Sequence, residues 1–114
     1  IDEGKNKYVL ISAISPAQKN CASSKVHYFV TSKRGAPYHR NVAEPFVETL
    51  EECGYISIQI LGGGRIECDR NEKKILIYGF SYGFGRADHE ISQNVVREDP
   101  RYKDFKISWS NEGY

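Results

Sequence analysis

Apolar residues come in short runs broken by polar, glycine-bearing stretches, and the period of each run predicts its element. Residues 7–14 (KYVLISAI) and 25–31 (KVHYFVT) are rich in β-branched side chains and read as strands. Between them, residues 15–24 hold Pro16 and small polar residues and read as a loop. Over residues 41–53 the apolar positions Val42, Phe46, Leu50 and Cys53 share one helical face, and Glu44, Glu48, Glu51 and Glu52 mostly line the other. Asn41 is a candidate N-cap, Gly54 a C-terminal stop, and Pro45 is tolerable only in the first turn. Strands follow over residues 55–61, 65–68 and 74–80, the last two as an antiparallel hairpin around a polar turn. Ile91 and Val95 mark a second helix over residues 87–98, with Asp88 as cap and Pro100 as stop. Residues 105–109 make a final strand. The order β β α β β β α β implies an α/β or α+β single sheet with two helices, which parallel connections require.

At 114 residues the chain makes one domain, spanning residues 1–114, with a single core. With 27% charged and 39% hydrophobic residues it reads as soluble and globular. A net charge of +1 argues against a general nucleic-acid or membrane-surface binder. No apolar run approaches the roughly 20 residues of a membrane span. No signal peptide is visible, and a start at Ile1 rather than Met leaves room for a trimmed leader or tail. The three cysteines, Cys21, Cys53 and Cys68, form no close pair, which points to free thiols in a reducing compartment and a cytoplasmic protein.

Two glycine-rich stretches concentrate the candidate chemistry: Gly62-Gly63-Gly64-Arg65-Ile66, and Tyr78-Gly79-Phe80-Ser81-Tyr82-Gly83-Phe84-Gly85. Each follows a β-branched run, and the second precedes a helix. Glycine loops at strand ends expose backbone N–H groups, and a helix start adds positive dipole, so together they suit a phosphate. Ser81, Tyr82 and Gly83 would present successive N–H groups, or simply form a tight strand-to-helix turn. His39 stands immediately before the first helix. The helix N-terminus and the cations Arg40 and Lys7 disfavour its imidazolium, leaving a neutral base or nucleophile, or else a polar cap. Lys7, at the start of the first strand, matters only if that end meets the glycine loops. Arg65 suits either an oxyanion or an ion pair with a glutamate. His27 reads as a surface or half-buried strand residue. His89 either orients the 81–85 loop or is a solvated helix start. Walker-type, Gly-x-Gly-x-x-Gly, Arg-His-Gly and Cys-x5-Arg patterns are absent. No clustered Asp, Glu or His pattern suggests a catalytic metal, so phosphoryl chemistry here is expected to need neither metal nor other cofactor.

These residues resemble the Janus family, whose best-known activity is protein phosphohistidine phosphatase. The matching segments include Lys7-Tyr8-Val9-Leu10-Ile11, Tyr38-His39, Gly62-Gly63-Gly64-Arg65-Ile66, Tyr78-Gly79-Phe80-Ser81, Gly83-Phe84-Gly85, Ala87-Asp88-His89 and the ending Asn111-Glu112-Gly113-Tyr114. The resemblance implies a small α/β domain, a mixed sheet of about six strands flanked by two helices. It places the catalytic histidine on His39, the substrate-contacting lysine on Lys7, and the phosphate-cradling loop on Ser81, Tyr82 and Gly83. One departure stands out: active members usually read His-Ala-Asp, and this chain reads His39-Arg40-Asn41. That exchange either tightens phosphate binding and lowers the histidine pKa, or spoils turnover or substrate choice.

Two functional readings result. In one, a monomer hydrolyses the P–N bond of phosphohistidine-containing proteins. In the other, it is a regulatory member linked to sex differentiation or the male germ line, keeping the phosphate cradle with little turnover. A single-stranded RNA module built on the eight tyrosines and five phenylalanines has little electrostatic footprint at a charge of +1.

Overall fold

The computed structural model describes residues 1, 3–15 and 26–111. Its elements are β1 (Gly4–Ile14), β2 (Val26–Ser32), α1 (His39–Glu52), β3 (Ile56–Asp69), β4 (Lys74–Tyr78), α2 (His89–Glu98) and β5 (Lys106–Trp109), with a 3-10 turn at Pro100–Tyr102. They form one five-stranded sheet in the order β2-β1-β3-β4-β5. β4 and β5 are parallel, and the other neighbours are antiparallel. This is the expected mixed α/β sheet with two helices, including the β3–β4 hairpin. Most of the loop expected over residues 15–24 lies outside the described residues, as do Cys21 and residues 112–114.

Among the described residues there are five strands rather than six, because the strands expected over residues 55–61 and 65–68 are one. β3 runs straight through the glycine triplet. Gly62, Gly63 and Gly64 pair with Leu10, Val9 and Tyr8 of β1, so the triplet is part of the ladder and not an anion-binding loop. Just before it, Ile60 pairs with Ile11 and Gly62 with Leu10, leaving Leu61 as a bulge. A bulged residue inverts the alternation of side chains along a strand. Ile58 and Ile60 therefore pack toward α1, whereas Ile66 and Cys68 pack on the opposite face.

Each helix covers one face. α1 lays Val42, Ala43 and Leu50 against Val9, Ile11 and Ala13 of β1. α2 and the 3-10 turn lay Val96 and Tyr102 against Leu10, Ile66 and Ile77. Full burial of each aliphatic side chain in these clusters stabilises the fold by about 1.5–3 kcal/mol.

The helix ends differ in how well they match expectation. α1 starts at His39, with Tyr38 as N-cap. Asn41 is the third helical residue rather than the cap, and its Oδ1 accepts from the Tyr38 N–H at 3.1 Å. Pro45 lies in the second turn, beyond the first-turn limit set for it, and the helix continues through it at the loss of one backbone bond. Val42 and Leu50 are buried as expected, Phe46 is half-buried, and Cys53 is exposed at the C-cap. Asp88 caps α2 as expected, its Oδ1 accepting from Glu90 N–H at 3.1 Å and Ile91 N–H at 3.3 Å.

Candidate active site

Lys7, His39, Ser81, Tyr82 and Gly83 meet around one cavity of about 540 Å³. Pro37, Tyr38, Arg40 and Phe84 complete its lining. Arg65, the remaining candidate for phosphate binding, does not line it. Arg65 pairs in register with Lys7 across β1 and β3, so the two cations share the face that α1 covers. Lys7 sits inside β1, not at its start, because the strand begins at Gly4.

The positive helix end at this cavity belongs to α1, whose N-cap and first two residues line it. The sequence pointed instead to α2, but its first N–H groups are taken by Asp88. The 81–85 loop is also organised differently from a row of free donors. Ser81 N–H donates to Gly85 O at 3.1 Å and Gly85 N–H to Ser81 O at 2.8 Å. Phe84 N–H donates to Ser81 Oγ at 3.1 Å. Gly63 N–H donates to Gly85 O at 3.0 Å, which staples the loop to β3. Ser81 thus holds the loop's shape, while Tyr82 and Gly83 stand exposed at its tip.

His39 is 7% exposed. One of its ring nitrogens is committed: Nε2–H donates to the Gly64 carbonyl at 2.8 Å. A carbonyl only accepts, so Nε2 carries the proton and Nδ1 keeps the lone pair. Burial is the main cause that lowers the His39 pKa, and Lys7 and Arg65 push the same way against the Gly64 bond. The direction is the one expected from the sequence, and Lys7 contributes as expected, but the leading cause, burial, and the part of Arg65 were not foreseen. Arg40 is exposed and does not contribute to the shift.

The glycine triplet makes this placement possible. A Cβ on Gly63 would lie 2.8 Å from His39 Cδ2. On the opposite face a Cβ on Gly64 would lie 2.9 Å from His89 Cε1 and 2.4 Å from Tyr78 O. Two histidines therefore flank β3 where it has no side chains. His89 is 1% exposed, not a solvated helix start. Its Nε2–H donates to Gly79 O at 2.8 Å, and its Nδ1 accepts from the Tyr8 hydroxyl at 2.6 Å. It thereby anchors the root of the 81–85 segment, the orienting role the sequence had left open. His27 is half-buried and packs edge-on against Tyr55, 6.1 Å between centroids, consistent with a structural residue.

The pKa of His89 is also lowered, by burial first and then Arg86. Folded His39 and His89 resist protonation, whereas the unfolded chain takes up protons near pH 6.5. The unfolded state thus binds more protons as pH falls below about 6.5, and stability is lost there. Urea midpoints should be flat above pH 7 and fall between pH 6.5 and the lower folded pKa values. His89→Gln should make that fall shallower. A pH-independent midpoint down to pH 5 would contradict the neutral, buried histidines.

The profile of the Janus/Ocnus family (Ocnus) matches residues 1–106. The chain belongs to the Janus/Ocnus family. Among its relatives is the "14 kDa phosphohistidine phosphatase" of Sus scrofa, 37% identical over 114 residues, covering 98% of this chain and 86% of that one. The protein of the same name from Homo sapiens is 31% identical over 112 residues, covering 98% and 87%. "Sex-regulated protein janus-B" of Drosophila orena is 35% identical over 111 residues, covering 97% and 75%.

Within this family member, sequence reading missed the walls of the cavity. Tyr38 and Phe84 line it, and Tyr38 is 61% exposed. The usable signal was an aromatic residue directly beside a candidate histidine or glycine, Tyr38 before His39 and Phe84 between Gly83 and Gly85. Among the described residues, no group of three or more His, Cys, Asp or Glu is placed to hold a metal ion. No described helix is long and apolar enough to cross a membrane.

Proposed function

We propose that this chain is a protein phosphohistidine phosphatase, hydrolysing the P–N bond without a metal ion and with His39 as the reacting group. The supporting observation is the meeting of Lys7 with a neutral His39 of fixed tautomer at a cavity whose lining contains no carboxylate. Phosphoryl transfer depends mainly on positioning and charge stabilisation. Lys7 Nζ binds the phosphoryl group in the ground and transition states alike, and the backbone N–H groups of Tyr82 and Gly83 meet the charge that develops on its oxygens, each well-placed donor contributing about 3–4 kcal/mol in the transition state. Arg65 adds positive field from the adjoining strand. His39 Nδ1 either takes the proton of an in-line water or attacks phosphorus itself, and rapid-quench capture of a labelled phosphohistidine at His39 separates the two. On this reading the partners are phosphohistidine-bearing proteins, met by a cytoplasmic monomer that uses neither nucleic acid nor membrane.

The second reading, a phosphate-binding regulatory protein of sex differentiation, draws on the similarity to janus-B and on Arg40-Asn41. Asn41 still bonds Tyr38 N–H, so the exchange leaves the start of α1 and the seat of His39 in order. That favours the enzyme. The test is phosphate release from a phosphohistidine peptide with chelator present. Release is expected to persist, and Lys7→Ala should raise KM more than it lowers kcat. Peptide binding without release would transfer the protein to the second reading, and release abolished by chelator would overturn the metal-free route.

A further inference from the structure

Arg40 is the charged residue of the cavity lining that the proposed chemistry does not use. It is the second residue of α1 and follows His39 directly. Its guanidinium lies over the Tyr38 ring, 5.1 Å from the centroid. Glu44 stands one turn on, at the spacing that normally gives a helical ion pair. Among the described residues, however, Arg40 forms no ion pair. Helical side chains lean toward the helix N-terminus, which here is the cavity. Arg40 is exposed and its one described contact is the Tyr38 ring, so the fold does not depend on it. The cavity lining offers it no carboxylate. A charge held on an aromatic plate at the mouth of a site, with no partner of its own, is free to meet one carried by the substrate.

We propose that Arg40 is a specificity-determining residue that selects phosphohistidine segments carrying an acidic side chain one or two residues from the phosphohistidine. This rests on the phosphohistidine reading above. An extended peptide advances at most about 3.3–3.6 Å per residue and adjacent Cα atoms are about 3.8 Å apart. With the phosphoryl group at His39, a carboxylate at that spacing therefore passes Arg40. Tyr38, by restricting the guanidinium, lowers the entropy lost when the pair forms. Lys7 lies deeper, at the phosphoryl end, and cannot serve both charges at once.

The experiment uses three phosphohistidine peptides differing only in Glu, Gln or Lys two residues from the phosphohistidine. Each is also made with a stable phosphoryl-triazolylalanine in place of phosphohistidine, for binding by fluorescence anisotropy. An exposed ion pair is worth up to about fivefold, so wild type should favour the Glu over the Lys peptide by roughly tenfold in kcat/KM and in Kd. Arg40→Ala should equalise the three, Arg40→Glu should invert the order, and about 0.5 M salt should erase the wild-type preference. Equal use of the three peptides by wild type, or a preference surviving in Arg40→Ala, would overturn the proposal. Should wild type hydrolyse none, the phosphatase reading fails and the triazole series decides alone. A Glu preference lost in Arg40→Ala then supports the recognition, and equal or absent binding overturns it.

Discussion

His39→Gln is expected to lower phosphate release from a phosphohistidine peptide by about a thousandfold, within the 10²–10⁴ range of acid–base catalysis, with the protein still folded. Gln is the informative replacement because its amide N–H can still donate to Gly64 O, the bond that His39 Nε2 makes at 2.8 Å. What the substitution takes away is the basic ring nitrogen Nδ1. His39→Ala should be as inactive but less stable by about 1–3 kcal/mol, because it leaves a buried carbonyl without its donor. Single-turnover rates beside thermal melts separate the two effects. A His39→Gln protein with native melting and a rate within tenfold of wild type would remove His39 from the chemistry. In wild type, activity should be constant from neutral pH down to the ordinary histidine range and fall only below it, since burial, Lys7 and Arg65 lower this pKa. Lys7→Ala should shift that acid limb to higher pH.

Gly64→Ala carries the largest expected change in stability, about 3 kcal/mol or more. The added methyl would lie 2.4 Å from Tyr78 O, 2.9 Å from His89 Cε1 and 3.0 Å from Tyr8 Cε1. The nearest of these atoms is backbone, so relief requires β4 to move away from β3. The other two belong to the buried Tyr8–His89 pair, bonded at 2.6 Å. Tm should fall by roughly 10–15 °C. Gly83→Ala is the control, since a Cβ there meets nothing within 4 Å, and its stability should change by no more than about 0.5 kcal/mol. Equal melting of the two variants would show that the triplet's role is not steric.

The two glycine stretches show how far the chain could be read without its fold. Both were legible as special, and the 81–85 loop does border the cavity. The triplet was misread as a loop because glycine is poor in strand interiors, and nothing local shows that two histidines need the vacant Cβ positions. His39 and Lys7 were legible as candidates by residue type, and the tautomer of His39 was not, because its partner Gly64 is 25 residues away.

The sequence by itself determined the strand and helix segments, the Asp88 cap, the family, and the identity of most residues around the cavity. These follow from periodicity, capping chemistry and short motifs, which act within a few residues. Only the tertiary structure decided that β3 is continuous, that a bulge at Leu61 turns Arg65 to the face of Lys7, and that α1 rather than α2 directs its positive end at the site. It also decided that burial keeps His39 neutral. Steric exclusion at a missing Cβ, the direction of a lone pair and the desolvation of an imidazole are properties of segments brought together from distant parts of the chain. No local pattern encodes them.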